Sequence, residues 1–337
     1  MSFLAQGPAM RRREILGILV GGAISAYSRE TAAQKAPVRI GLLGSGAATS
    51  VITAAQIATI KDGLRDYGLT DGRDYVLEAR FAAGRYERFP ELARELVQAG
   101  AAVILTNTIA SVRAAQQLIP PVPVVMLSIN DPIGTGLIAS LAKPGNHTTG
   151  LATLNEDLTP KLLEFFRAVL PGAKSLAALF NPANPTNVKF VEELRARAAA
   201  MAVTVLPVGL TSPDTLDAQF SALTAQKPDA LFVLADSGII DLSDRIAALA
   251  LSHRLPSFST SPTVVEVGGL LAYGAYRNKL MVRSAYFVKK ILDGANPGDL
   301  PVEQPREIEL WINLKTAKSL GLEIPLQLQQ LAEQVIE

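Results

Sequence analysis

From Pro37 onward, short runs rich in branched aliphatic residues alternate with longer stretches of helical periodicity, and the alternation runs through twice. Parallel strands need a crossover of a dozen or more residues, usually a helix, so this rhythm prescribes βαβ units and an α/β fold. In the first round, Val38 to Leu43 reads as a strand. Ile57, Ile60, Leu64 and Tyr67 recur at helical spacing up to Gly68, predicting a helix over about 52–67. Strand Tyr75 to Phe81, helix Glu87 to Gln98, strand Ala102 to Thr106, helix Ser111 to Leu118 and strand Val122 to Leu127 follow. After Lys143-Pro144-Gly145-Asn146 the chain passes through Thr148 to Leu154 and begins again. Leu158 to Val169 is helical, Leu176 to Phe180 a strand, Phe190 to Met201 a helix and Val203 to Val208 a strand. Helix Leu216 to Thr224, strand Ala230 to Leu234, helix Ile239 to Ser252 and strand Pro256 to Ser259 complete the second round. Two α/β lobes in one chain leave a cleft between them, and sheets of this kind bind ligands beyond their strand carboxyl ends.

Upstream of Pro37 the pattern is different. Arg11-Arg12-Arg13 and Glu14 precede an uncharged run of 12 residues, Ile15 to Ala26, and then the small residues Thr31-Ala32-Ala33. That order is the order of a secretory signal, and the run falls short of the roughly 20 residues a membrane-spanning helix requires. Residues 1–33 are therefore expected to be an export signal, by a general or a twin-arginine route, and the mature protein to reside in the periplasm.

The balance of charge removes several functions. Lys and Arg number 32 against 31 Asp and Glu, so there is no basic excess to coat nucleic acid. The absence of cysteine excludes disulfides, thiolate metal sites and a cysteine nucleophile. Of the two histidines, neither His147 nor His253 has a serine or acid placed beside it as a nucleophile site needs, and no metal-ligand spacing occurs. No catalysis, metal or cofactor is expected. Gly44-Ser45-Gly46 after the first strand resembles the start of a dinucleotide loop, but the third glycine is missing and Glu78 lies inside the second strand rather than after it.

Longer segments carry a family resemblance. Asp131-Pro132-Ile133-Gly134 with Gly136 to Asn146 resembles a conserved stretch of bacterial ABC transporter substrate-binding proteins. Val169 to Lys174, Asn181-Pro182-Ala183-Asn184-Pro185, Gly268 to Gly274, Ile291 to Pro297, Leu300 to Pro305 and Ile312 to Lys318 are similar to further stretches of that family. The resemblance implies a type I periplasmic binding protein fold, two Rossmann-like lobes joined by a three-crossing hinge. On that basis the first lobe is expected over 37–150 plus about 272–298, and the second over 151–271 plus about 299–337. It also implies a small-molecule solute, an ABC permease as partner, a monomeric state, and, in some relatives, aromatic amino acids as cargo. The other reading to weigh is a ligand-sensing domain of a signalling or regulatory system; a regulator needs a helix-turn-helix and a receptor a signalling domain, and the sequence offers neither.

In such folds a ligand carboxylate meets hydroxyls and amides at helix amino termini. Ser45, Thr108, Ser111, Asn130 and Asp131 are the expected ligand-binding residues of the first lobe, with Asn107 and Ser128 beside them. Thr108 and Ser111 are equally readable as helix caps and Asp131 as a turn residue. On the second lobe the candidates are Asn184 and Asp236, with Asn181, Thr186 and Ser237 nearby. Asp236 is expected to face a ligand ammonium, or else to cap the helix near Ile239. Tyr273, with Tyr276, is expected either as an aromatic wall or as core.

Overall fold

The computed structural model describes Ser2 and residues 36–337, except positions 154 and 306. The export signal expected over 1–33 lies, Ser2 aside, outside the described residues. Twelve strands run from residue 38 to the end: β1 Val38–Gly44, β2 Tyr75–Phe81, β3 Ala101–Thr106, β4 Val124–Asn130, β5 Thr148–Thr153, β6 Ser175–Phe180, β7 Thr204–Gly209, β8 Ala230–Val233, β9 Ser257–Ser259, β10 Leu271–Gly274, β11 Glu309–Asn313 and β12 Gln334–Ile336. They form two sheets, ordered β2-β1-β3-β4-β5 and β12-β11-β10-β9-β8-β6-β7. The first sheet is parallel throughout, and in the second only the β10–β11 pairing is antiparallel.

Near-continuous apolar runs suit strands covered on both faces, and Val103, Ile104 and Leu105 of β3 have no exposed surface. Each sheet carries an apolar core on both sides. The helix Arg277–Leu292 returns from the second sheet to pack against Val51–Asp66 on the first. Gly63 permits this approach, since a Cβ there would lie 2.7 Å from the Val282 carbonyl oxygen.

Both sheets share one winding. In the first, the order reverses between β1 and β3; in the second, the run β7-β6-β8-β9-β10 reverses between β6 and β8. Ligand crevices open at such switch points. The chain passes between the sheets three times: after β5, between Gly274 and Arg277, and between Glu303, which is bonded to β5, and Glu309. The return to the first lobe, expected from about residue 272, starts later because Leu271–Gly274 pairs within the second sheet.

Some helices depart from the expected bounds, three of them for local reasons. The third begins at Ile109 because Thr108, not Ser111, is its N-cap. The helix expected from Phe190 starts at Pro185, capped by Asn184, since a proline at the first helical position has no N–H to leave unsatisfied. The stretch expected as one helix from Ile239 is two, Ser237–Ile240 and Ser243–Ser252, separated at Asp241 and Leu242.

Candidate functional site

A cleft with about 630 Å³ of open space, its solvent mouth included, lies between the two switch points, where sheets of this kind bind ligands. Strand ends and the loops after them line it. The first lobe supplies Asn107 and Thr108 after β3, Ser128 and Asn130 of β4 and Thr153 of β5. The second supplies Asn184, Asp236, Ser237, Thr260 and Ser261. Arg277 enters from the second crossing, and Ile109, Ile129 and Ile240 give apolar surface. Among the described residues, Asp236 and Arg277 are the two lining side chains that carry charge.

Of the eight residues expected to bind ligand, Thr108, Asn130, Asn184 and Asp236 line this cleft. Thr108 also caps: its hydroxyl accepts from the Ser111 N–H at 3.0 Å, and Ser111 Oγ accepts from the Thr108 N–H at 3.0 Å. Asn130 Oδ1 accepts from the Asn155 N–H at 2.8 Å, tying the strand end to the first crossing. Asn184 accepts from the Thr186 N–H and donates to Asp236 Oδ2 at 2.8 Å.

The other four do not line it. Ser111 is fully buried in the capping pair and lies against Thr106 Oγ1. Ser45 is fully buried and donates to Asp241 at 2.8 Å. Asp131 takes a left-handed backbone conformation, φ 44°, accepts from the Gly134 N–H and makes a turn. Tyr273 packs edge-on against Phe165, ring centroids 5.3 Å apart, with the core of the second sheet. Tyr276 lies over Trp311 and donates to Glu266, so no aromatic ring lines the cleft among the described residues.

Asp236, expected to face a ligand ammonium or else to cap a helix, lines the cleft and is held by protein donors. Its oxygens accept from Tyr86 Oη at 3.0 Å, Asn181 Nδ2 at 3.2 Å, Asn184 Nδ2 at 2.8 Å and the Gly238 N–H at 3.0 Å. Three of these donors converge on Oδ1 and one, from Asn184, reaches Oδ2. It caps Ser237–Ile240, and through Tyr86 it joins the lobes. Burial, then the nearby Asp236, push the Tyr86 phenol well above its ordinary pKa, so it stays a donor.

Asp241, which helical periodicity hides, makes a second bridge. It accepts from Ser45 at 2.8 Å and Gln56 at 3.0 Å, both on the first lobe. Ser237 Oγ adds a third bridge by donating to the Asn107 carbonyl oxygen at 2.6 Å. Small residues let the lobes come this close: a Cβ at Gly84, φ 76°, would lie 2.6 Å from Pro213, and one at Gly238 would lie 2.7 Å from Tyr86 Oη.

Sequence reasoning also passed over Arg277. Its Nη1 is 3.9 Å from Asp241 Oδ1, beyond hydrogen-bond reach, and its side chain is 11% exposed. Burial lowers its pKa while Asp241 and Asp236 oppose that, and a guanidinium keeps its proton in any case. The signal was available, since Arg277 opens the helix after β10 as Thr108 adjoins the helix after β3. Thr260 and Ser261, following β9, obey the same rule.

Residues 52–336 match the family described as ABC transporter substrate binding protein. The chain belongs to this family. Among ABC substrate-binding proteins it is similar to the tyrosine-binding protein of Clostridioides difficile (strain R20291), 26% identical over 261 residues, which are 77% of this chain and 74% of that relative. Its fold matches the ABC domain in complex with L-Trp from Streptococcus pneumonia, with a TM-score of 0.77 and 27% identity over 88% of this chain and all of that one. A conserved domain protein from Vibrio cholerae o1 biovar eltor str. n16961 has the same fold, with a TM-score of 0.77 and 24% identity over 88% of this chain and 99% of that one. The type I periplasmic binding protein fold is thus the fold of this chain.

Proposed function

We propose that this chain is the extracytoplasmic solute-binding component of an ABC uptake system, holding a small carboxylate-bearing organic solute, an amino acid with an aromatic side chain, between its lobes. The observation that carries this reading is the cleft itself: polar groups from both lobes converge on one cleft whose apolar surface includes three isoleucines. Relatives named for tyrosine and crystallised with L-Trp support the cargo class. A solute gripped by both lobes favours the closed form, which the Tyr86–Asp236, Ser45–Asp241 and Ser237–Asn107 bridges hold, and a membrane permease then receives it unaltered. Among the described residues no cluster of three or more His, Asp or Glu is placed to hold a metal ion. Export through the arginine-led amino terminus would put the protein where the solute is; among the described residues no helix is long and apolar enough to cross a membrane.

The test is mass spectrometry of small molecules released by gentle denaturation from protein purified out of periplasmic extract. An aromatic amino acid released in near-stoichiometric amount is the expected result. A sugar, or a nucleotide carried at the same ratio, would overturn the cargo assignment.

A further inference from the structure

Buried polar atoms nearly always find partners, and those that do not are informative. Among the described residues, three buried side-chain atoms without a hydrogen-bond partner belong to residues lining the cleft: Nη1 and Nη2 of Arg277 and Oδ1 of Asn107. Two are donors on a cation and one is a neutral acceptor. Their presence in a single cleft is the pattern a zwitterion would complete.

The orientation of the Asn107 amide is fixed by its surroundings. Nδ2 donates to Ser45 Oγ at 3.4 Å, and Ser45 gives its own proton to Asp241 at 2.8 Å. Turning the amide over would set Oδ1 against an oxygen with no proton left to share, so Oδ1 is the atom without a partner. Arg277 is held in a comparable way. Asp241 stands 3.9 Å behind it, close enough to balance its charge but too far to occupy its N–H groups.

We propose that Arg277 and Asn107 form a subsite for a zwitterionic amino acid, with Arg277 Nη1 and Nη2 taking the α-carboxylate and Asn107 Oδ1 accepting from the α-ammonium. This rests on the solute-binding reading above and names the groups that execute it. A guanidinium presents two parallel N–H donors to a carboxylate, which is the geometry left unused here. Charge points the same way. With Asp236 lining the cleft and Asp241 beside Arg277, a purely anionic ligand would add a negative charge to a corner that already holds two acids, whereas a zwitterion adds none. Both anchors belong to the first-lobe side: Asn107 follows β3, and Arg277 opens the helix packed on Val51–Asp66. The amino acid therefore docks on the first lobe, and the second closes over it.

The experiment is calorimetry with L-tryptophan, tryptamine, which lacks the carboxylate, and indole-3-propionate, which lacks the ammonium, on wild type, Arg277→Gln and Asn107→Ala. Wild type should bind L-tryptophan about 100-fold more tightly than tryptamine and about 10-fold more tightly than indole-3-propionate. Arg277→Gln should weaken L-tryptophan about 100-fold and leave tryptamine unchanged; Asn107→Ala should weaken L-tryptophan about 10-fold and leave indole-3-propionate unchanged. A folded Arg277→Gln that still prefers L-tryptophan to tryptamine by the wild-type ratio overturns the subsite while leaving the solute reading standing. Should a variant fail to fold, the wild-type ratios decide, and equal affinity for all three overturns the subsite. Wild type that binds none of the three, nor L-tyrosine, overturns both readings.

Discussion

Two carboxylates five positions apart on the second lobe meet opposite surroundings. Asp236 accepts four hydrogen bonds from the protein, three on Oδ1 and one on Oδ2. Asp241 also accepts two protein donors, but the arginine beside it keeps two nitrogens unpaired. A carboxylate held by donors from both lobes ties the protein together. A corner with buried donors left over is where the proposed ligand completes the set. On the proposal above the cleft divides into a latch at Asp236 and a receptor at Arg277, whereas the sequence offers Asp236 either as the partner of a ligand ammonium or as a helix cap.

The largest effect that bears on this division is Asp236→Ala. It leaves buried Asn181 and half-buried Tyr86 and Asn184 without their acceptor and should cost roughly 3 kcal/mol of stability by chemical denaturation. L-Tryptophan affinity should fall less than about 10-fold, since only closure is weakened. Affinity abolished with stability intact would make Asp236 the ligand's partner and break the comparison. Tyr86→Phe removes one of the four donors and should cost about 1 kcal/mol, read from the same denaturation curves. A cost as large as that of Asp236→Ala would mean the latch depends on Tyr86 alone.

The smallest effect is one of pH. Burial raises the Asp241 pKa above the ordinary 3.8, against the opposing pull of Arg277, Ser45 and Gln56, and Asp236 adds to the rise. The folded state then binds the Asp241 proton more tightly than the unfolded state, so this residue's contribution to stability falls as pH rises from about 3.8 through its folded value. Asp241→Asn carries no such titration. The Tm of wild type relative to Asp241→Asn should therefore decline from pH 4 toward neutrality. A relative Tm that climbs over that range would show that Arg277 outweighs burial.

Much of the fold was legible because buried parallel strands announce themselves. The β2 bounds, Tyr75 to Phe81, are those read from the sequence, and the two rounds of alternation became two sheets. The site was legible in part. Thr108, Asn130, Asn184 and Asp236 sit where strands end, so a rule about strand ends finds them. The same rule cannot tell which way a side chain turns: Ser45 and Ser111 turn inward, and Tyr273, inside β10, faces Phe165. Nor can it supply partners that only the meeting of lobes creates. Ser45 and Asp241 lie 196 positions apart, and nothing local to either indicates the bond between them.

A crystal structure of the protein grown with L-tryptophan tests the division most directly. The account predicts a carboxylate within ~3 Å of Arg277 Nη1 and Nη2, an ammonium on Asn107 Oδ1, and Asp236 still holding Tyr86, Asn181, Asn184 and the Gly238 N–H. An ammonium seated on Asp236 with those donors displaced, or a ligand bound outside the cleft, would contradict it.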